Sequence, residues 1–200
     1  MNNRYGIPDH LFTVPLPENR WSFTLAGRMS RCIVEMEKRY GRRDDRWTLL
    51  GVEFCEGVPK IFFPGGNDDP PRGHITIRLG HETFFDEKRA VYQLAHECVH
   101  LLAPVRYGEA KVIEEGLATA FSEDIIEMWF GEKNKADYTN DQRYRDAASH
   151  VRQLLQIEPD AIRHLRGVEP VFSSMTAATF KEAGLSQVPQ PLIDKLLPLF

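Results

Sequence analysis

The spacing of apolar and polar positions changes twice along this chain of 200 residues. Residues 22–40 carry apolar side chains at every third or fourth position with charged side chains between them, which is typical of an amphipathic helix. Residues 47–79 are rich in Trp, Thr, Val, Ile and Phe and are interrupted by Gly and Pro, which predicts strands. From residue 86 onward the helical spacing returns. The pattern therefore predicts an α+β fold with an N-terminal helix, a small mixed sheet and a mostly helical second half.

The predicted elements have definite bounds. The three strands are expected at 47–55, 58–63 and 74–79, after a Pro-rich, irregular segment at 1–18, and residues 64–73 form a turn-rich loop. Helices are expected at 86–103 (with Asp86 as the N-cap), 109–129, 141–156 and 174–183, with a short turn at 159–166 and a last amphipathic piece around 192–197.

Length and composition predict one domain for residues 1–200. With 42% apolar side chains the chain can bury a sizeable core. We expect an N-terminal α/β lobe at about 1–104 and a helical lobe at about 105–200.

Charge and cysteine usage narrow the function classes. The net charge is −4 and Lys and Arg are scattered, so no nucleic-acid partner is expected. No apolar run approaches the roughly 18 residues of a membrane span, and the first residues lack a signal-peptide pattern, which predicts a cytoplasmic protein. Cys32, Cys55 and Cys98 form no CxxC pair and are expected to be reduced thiols outside any metal site.

The most informative stretch is Leu-Ala-His-Glu-Cys-Val-His-Leu-Leu at positions 94–102. His96 and His100 are four residues apart, so in a helix both imidazoles lie on one face and can bind one metal ion. Glu97 follows the first histidine and can accept a proton from a water held by that ion, as in the HExxH arrangement of zinc hydrolases. Cys98 points away from both histidines.

A catalytic zinc takes three protein ligands, so a third has to come from elsewhere. The metzincin position, six residues after His100, is Arg106, which excludes that class. An antiparallel helix pair could bring Glu115 to the histidines, and small residues follow it on its own helix face. Glu114 shares its face with apolar residues but stays a competitor. More distant alternatives are His150 and His164.

The motif HECVH followed by Glu-Glu-Gly-Leu-Ala at 114–118 resembles the gluzincins, zincins whose third ligand is a glutamate on the following helix. The resemblance covers about residues 74–122. It implies a zincin-like fold, zinc bound by His96, His100 and Glu115, Glu97 as the general base, and the strand at 74–79 as the substrate-binding edge. The gap of fourteen residues between His100 and Glu115 is shorter than in many gluzincins.

The resemblance implies a zinc-dependent peptidase whose partner is a peptide or protein substrate. One alternative is a metal-loaded binding or regulatory module with little turnover, and another is hydrolysis of a non-peptide amide at the same site. A residue that stabilises the tetrahedral oxyanion is also expected. The sequence does not rank its candidates, which are Tyr107, Tyr138, Tyr144, His150 and His164. Substrate specificity, endo- or exopeptidase preference and oligomeric state stay open.

Overall fold

A small mixed sheet lies in the N-terminal half of the chain. A computed structural model describes residues 14–15, 22–23, 25–65, 73–105 and 108–200. In the three-stranded sheet the strand order is β3-β5-β4, with β5 parallel to β3 and antiparallel to β4, and β1 and β2 form a separate antiparallel pair. The strands are β1 Val14–Pro15, β2 Ser22–Phe23, β3 Trp47–Cys55, β4 Lys60–Phe62 and β5 Gly73–Gly80.

Helices make up most of the rest of the described chain. Long helices pack against the sheet and continue through the second half, and three single 3-10 turns lie among the described elements. The helices are α1 Leu25–Tyr40, α2 Glu87–His100, α3 Val112–Phe130, α4 Gln142–Ile157, α5 Ala161–Val168, α6 Ala177–Glu182 and α7 Gln190–Leu196. The predicted α+β class, with a small mixed sheet and a mostly helical second half, is confirmed.

The strand at 74–79 is not an edge strand, and that expectation was wrong. β5 is hydrogen-bonded on both sides, and Ile75, Ile77 and Leu79 are completely buried. A strand that is hydrogen-bonded to a neighbour on each side lies in the middle of its sheet. The two edges are formed by β3 and by the short strand β4.

Several element ends differ from the expected bounds because of pairings that the local pattern does not contain. Residues 22–23 form a strand with residues 14–15, so α1 begins at Leu25 and the segment expected to be irregular holds a strand. Lys111 pairs with Leu199 in an antiparallel bridge, so α3 begins three residues later than expected. The expected turn at 159–166 is the helix α5. The rest of the irregular segment at 1–18 and most of the loop at 64–73 lie outside the described residues.

One hydrophobic core joins the two halves of the chain. It combines apolar side chains of α1, β5 and α2 with those of α3, α4 and the later helices. Each fully buried Leu, Val or Ile side chain contributes about 1.5–3 kcal/mol. Cys32 and Cys98 lie in this core, and Cys55 is partly exposed. No helix of the described part is long and apolar enough to cross a membrane.

Candidate metal centre

Helix α2 presents one face to the core and another to a cavity. The Asp86 side chain caps the helix by accepting a hydrogen bond of 2.9 Å from the Arg89 N–H, as expected for an N-cap. Leu94 is completely buried in the core. The rings of His96 and His100 lie on the cavity side with their centroids 5.1 Å apart. The histidine pair therefore lies on a different face of α2 from the core residues.

Helix α3 brings the two glutamates next to this histidine pair. The glycine of the Glu-Glu-Gly motif, Gly116, is where α3 meets α4, since a Cβ there would lie 2.4 Å from the Ala147 carbonyl oxygen. Only glycine permits this approach, which holds α4 beside the site. The small residues Ala118, Thr119 and Ser122 are completely buried by the protein itself, so they leave no open space for a ligand.

Three donor groups converge from α2 and α3. Glu115 Oε2 lies 3.2 Å from His96 Nε2, and Glu115 Oε1 lies 3.7 Å from His100 Nε2. Neighbouring donors around a tetrahedral zinc with bonds of about 2.0–2.1 Å are roughly 3.3 Å apart. Within the described residues, His96, His100 and Glu115 are the one group of three or more His, Cys, Asp or Glu whose ligand atoms all lie within 4.8 Å of one another. The chain therefore contains a cluster that is able to bind a metal ion.

Glu114 occupies a different position from Glu115. Its Oε1 lies 2.8 Å from His100 Nδ1, the ring nitrogen that faces away from the cluster. A carboxylate there accepts a hydrogen bond from Nδ1–H, which orients the ring so that Nε2 faces the cluster. Glu114 is completely buried, and its Oε2 has no hydrogen-bond partner among the described residues. The geometry thus assigns Glu114 to orienting His100 and Glu115 to the cluster itself.

The electric field of the cluster favours a cation. Burial lowers the pKa of His100, but Glu115, Glu114 and Glu97 outweigh it and raise that pKa to about 10. Burial raises the pKa of Glu115, but His100 and His96 outweigh it and lower that pKa to about 2. The same carboxylates that hold a proton on His100 stabilise a divalent ion at this place. Two imidazole nitrogens and a carboxylate oxygen are donors that zinc accepts, so the residues present fit this metal.

Glu97 is buried beside the cluster and contacts the sheet edge. Glu97 is 3% exposed, and this burial raises the pKa of its carboxyl group. The neighbouring His100 and His96 lower this pKa, Glu115 raises it, and the backbone N–H of Ile61 in β4 lowers it by donating to the carboxylate. The expected base therefore lies between the metal-binding residues and the edge strand.

A cavity of about 620 Å³ opens onto the cluster. It is lined by His96, Glu97, His100 and Glu115, and 10–13% of each ligand side chain stays exposed. This volume lies within the range of ligand pockets, about 300–1,000 Å³. A small molecule or a peptide segment can therefore reach the cluster.

The structure separates the expected oxyanion candidates. Tyr138 and Tyr144 line the cavity, and the Tyr144 ring stands edge-on to His96 with a centroid distance of 5.9 Å. His164 lines a different pocket, together with Tyr40 and Arg163. Of the described residues that line the cavity, none is His150. Tyr107 lies outside the described residues.

Several residues of the cavity lie outside the HECVH and Glu-Glu-Gly motifs. Tyr92 and Thr139 join their hydroxyl groups at 2.6 Å, and Thr139 donates to buried Glu123 at 3.1 Å, which ties the loop before α4 to α2. Arg89 and Phe200 also line the cavity. Tyr92 lies four residues before His96, so helical spacing already places it on the histidine face, whereas Thr139 and Phe200 are far from the motif in the chain and no local spacing could have indicated them.

Comparisons with family models, with curated proteins and with solved structures find no match to this chain.

Proposed function

We propose that the chain is a zinc-dependent peptidase of the gluzincin type with a zincin-like fold. The observation that carries the proposal is the convergence of His96, His100 and Glu115 at a cavity whose wall also includes Glu97. Three protein donors beside an open cavity are typical of a catalytic zinc site, because a structural site uses four protein ligands. The mixed sheet with an antiparallel edge strand beside α2 supports the zincin-like assignment.

Each residue of the site has a separate chemical task. A bound zinc ion would act as a Lewis acid and would lower the pKa of a water molecule bound to it to about 7. Glu97 accepts the proton of the attacking water while the water oxygen bonds to the peptide carbonyl carbon. Glu97 then gives that proton to the amide nitrogen as the carbon–nitrogen bond breaks. Tyr144 is the best-placed candidate to donate a hydrogen bond to the oxyanion.

The edge strand β4 suggests how a substrate is held. Ile61 and Glu97 line the same cavity, and the Ile61 backbone lowers the Glu97 pKa, so the sheet edge lies beside the proposed base. An extended peptide added beside an edge strand binds through its main chain and places alternate side chains in pockets. A peptide lying along β4 would bring its backbone to Glu97, which is the group that has to reach it.

The test combines zinc analysis with peptide cleavage on the same samples. Wild type is expected to hold about one zinc per chain and to cleave members of a peptide library. Glu115→Ala should lose zinc and cleavage together. Glu97→Gln should keep zinc and lose cleavage by about 10²–10⁴-fold, the usual contribution of a general base. Glu127→Ala, an exposed glutamate on the same helix α3, is the matched control and should change neither.

The outcomes distinguish the proposal from its alternatives. Zinc retained in Glu115→Ala would refute the ligand set. Zinc in wild type without any cleavage that depends on Glu97 would favour a binding or regulatory module. Cleavage of small non-peptide amides but of no peptide would keep the metal centre and change the substrate class.

A further inference from the structure

The outer edge of β3 has no strand beside it among the described residues. β3 is nine residues long and pairs with β5 on one side, so backbone N–H and C=O groups along its other side point away from the sheet. At the first residue of the strand, the Arg43 guanidinium already donates to the Trp47 carbonyl at 3.1 Å. The part of the edge that is open to another strand therefore begins at Thr48.

The apolar side chains of β3 are covered less than those of its neighbour. Four of them pack against the hydrophobic core from the face that points to the helices, and each stays partly exposed. They are Trp47, Leu49, Val52 and Phe54. On the neighbouring strand β5, Ile75 and Leu79 are completely buried beside them. The apolar layer of the core thus extends to the edge of the sheet and is only partly covered there.

A β-bulge in the middle of β3 shifts the alternation of its side chains. The register with β5 passes from Leu49 to Gly51, so Leu50 is the extra residue, and it is 56% exposed. The strand carries one charged side chain, Glu53, and Arg78 of β5 already binds it at 2.6 Å. The edge is therefore an apolar strand without a charge pattern that would select a partner of opposite charge.

The pattern of faces along β3 is complementary to itself. Residues directly opposite each other in an antiparallel pair lie on the same face of the sheet. Because of the bulge, the core-facing residues Leu49 and Val52 are three positions apart instead of two. An antiparallel pair of two β3 strands with its two-fold axis at the bulge therefore places Leu49 of each copy opposite Val52 of the other. In the same register Trp47 lies opposite Phe54, so all four core-facing side chains meet core-facing side chains. Without the bulge, this register would bring residues of opposite faces together.

We propose that the chain forms a dimer with a second copy of itself, in which the two β3 edges pair antiparallel and join both sheets into one of six strands. A two-fold axis satisfies both edges with a single contact, and the face pattern of the strand fits that symmetry. A contact of this size is smaller than an obligate interface, so we expect a reversible dimer with a roughly micromolar dissociation constant. No residue of β3 is among the described residues that line the cavity, so the inference does not depend on the proposed peptidase activity.

The first experiment measures the dissociation constant by analytical ultracentrifugation over a range of protein concentrations. Leu50→Lys brings two positive charges together at the axis and should weaken the wild-type dimer at least about tenfold. Val34→Lys is the matched control, since it places the same charge at an apolar position of α1 that is 64% exposed, and it should leave the dimer unchanged. Because both positions are exposed, both variants should keep the melting temperature that wild type has when it is diluted to the monomer.

A pair of cysteines tests the register. The proposed axis places Thr48 of one copy directly opposite Glu53 of the other, and opposite Cα atoms in an antiparallel pair are about 4.5–5.5 Å apart, within the range of a disulfide. Thr48→Cys with Glu53→Cys, in a Cys55→Ser background, should give a covalent dimer on a non-reducing gel after treatment with oxidised glutathione. Within one chain the two positions are roughly 17 Å apart, too far for a disulfide. Thr48→Cys alone, in the same background, has no cysteine opposite it and should stay a monomer on the gel.

The outcomes separate this interface from its alternatives. Monomeric wild type at concentrations up to roughly 100 µM would overturn the proposal. A dimer that Leu50→Lys leaves unchanged, a dimer that Val34→Lys weakens equally, or a cysteine pair that gives no covalent dimer would each overturn it as well. These results are independent of zinc content and peptide cleavage, so the failure of either proposal leaves the other intact.

Discussion

Replacing Glu114 tests the metal centre through a residue that touches no metal. Glu114 is completely buried and lies 2.8 Å from His100 Nδ1. Residues that orient a ligand histidine in this way typically contribute 10–100-fold to metal affinity, which corresponds to about 1.4–2.8 kcal/mol. A hydrogen bond to a charged group, worth about 1.5–3 kcal/mol, gives the same magnitude independently. We therefore expect Glu114→Ala to weaken zinc binding by about 10–100-fold.

The conservative variant separates orientation from simple loss of packing. The amide oxygen of Glu114→Gln can still accept the Nδ1–H bond, at about half the strength of a charge-assisted one. Its loss of affinity should stay below roughly tenfold. Glu115→Ala, which removes a donor of the cluster, should weaken binding more than either Glu114 variant, and exposed Glu127→Ala should not weaken it.

The assay is competition for zinc against a chromophoric chelator, with the melting temperature of each chelator-treated variant measured beside it. The melting temperature reports the structural cost of each substitution separately from the metal affinity. Wild-type affinity in Glu114→Ala would refute the orienting role. A loss in Glu114→Ala as large as in Glu115→Ala would show that Glu114 binds the metal directly, against the geometry found here.

Three other predictions follow from the same contacts. Gly116→Ala should destabilise the chain by about 1–3 kcal/mol in chemical denaturation, because the added Cβ would meet the Ala147 carbonyl. Gly167→Ala is the control: it has open space around it and should be neutral or stabilising. Tyr144→Phe should lower kcat by about 10²–10³-fold at unchanged zinc content, and an unchanged kcat would leave Tyr138 as the cavity candidate. Zinc at a thousandfold excess over its dissociation constant adds about 4 kcal/mol to the free energy of unfolding. Removal of zinc should therefore lower the melting temperature by roughly 8–16 °C. In Glu115→Ala, removal of zinc should change the melting temperature little.

The local pattern of apolar and polar residues was sufficient to predict most helices and strands. Residues 47–55 were expected as a strand and form β3 with the same bounds, and Asp86 caps α2 as expected. The end of α2 was expected at residue 103, but Leu101 and Leu102 donate to the carbonyls three residues earlier, so the last turn tightens. The position of a helix end depends on which groups donate hydrogen bonds to the last carbonyls, and residue spacing alone does not contain that information.

Sequence spacing by itself determined the pairing of His96 with His100 on one helix face, since residues four positions apart lie one above the other in any α-helix. It also limited the nearby glutamates to Glu114 and Glu115. Only the tertiary structure decided between them, because adjacent residues of a helix point about 100° apart and the approach of α2 to α3 determines which of the two meets Nε2. The same holds for β4 as an edge of the sheet and for Phe200 in the cavity. These features arise from contacts between distant segments, and a local pattern carries no information about them.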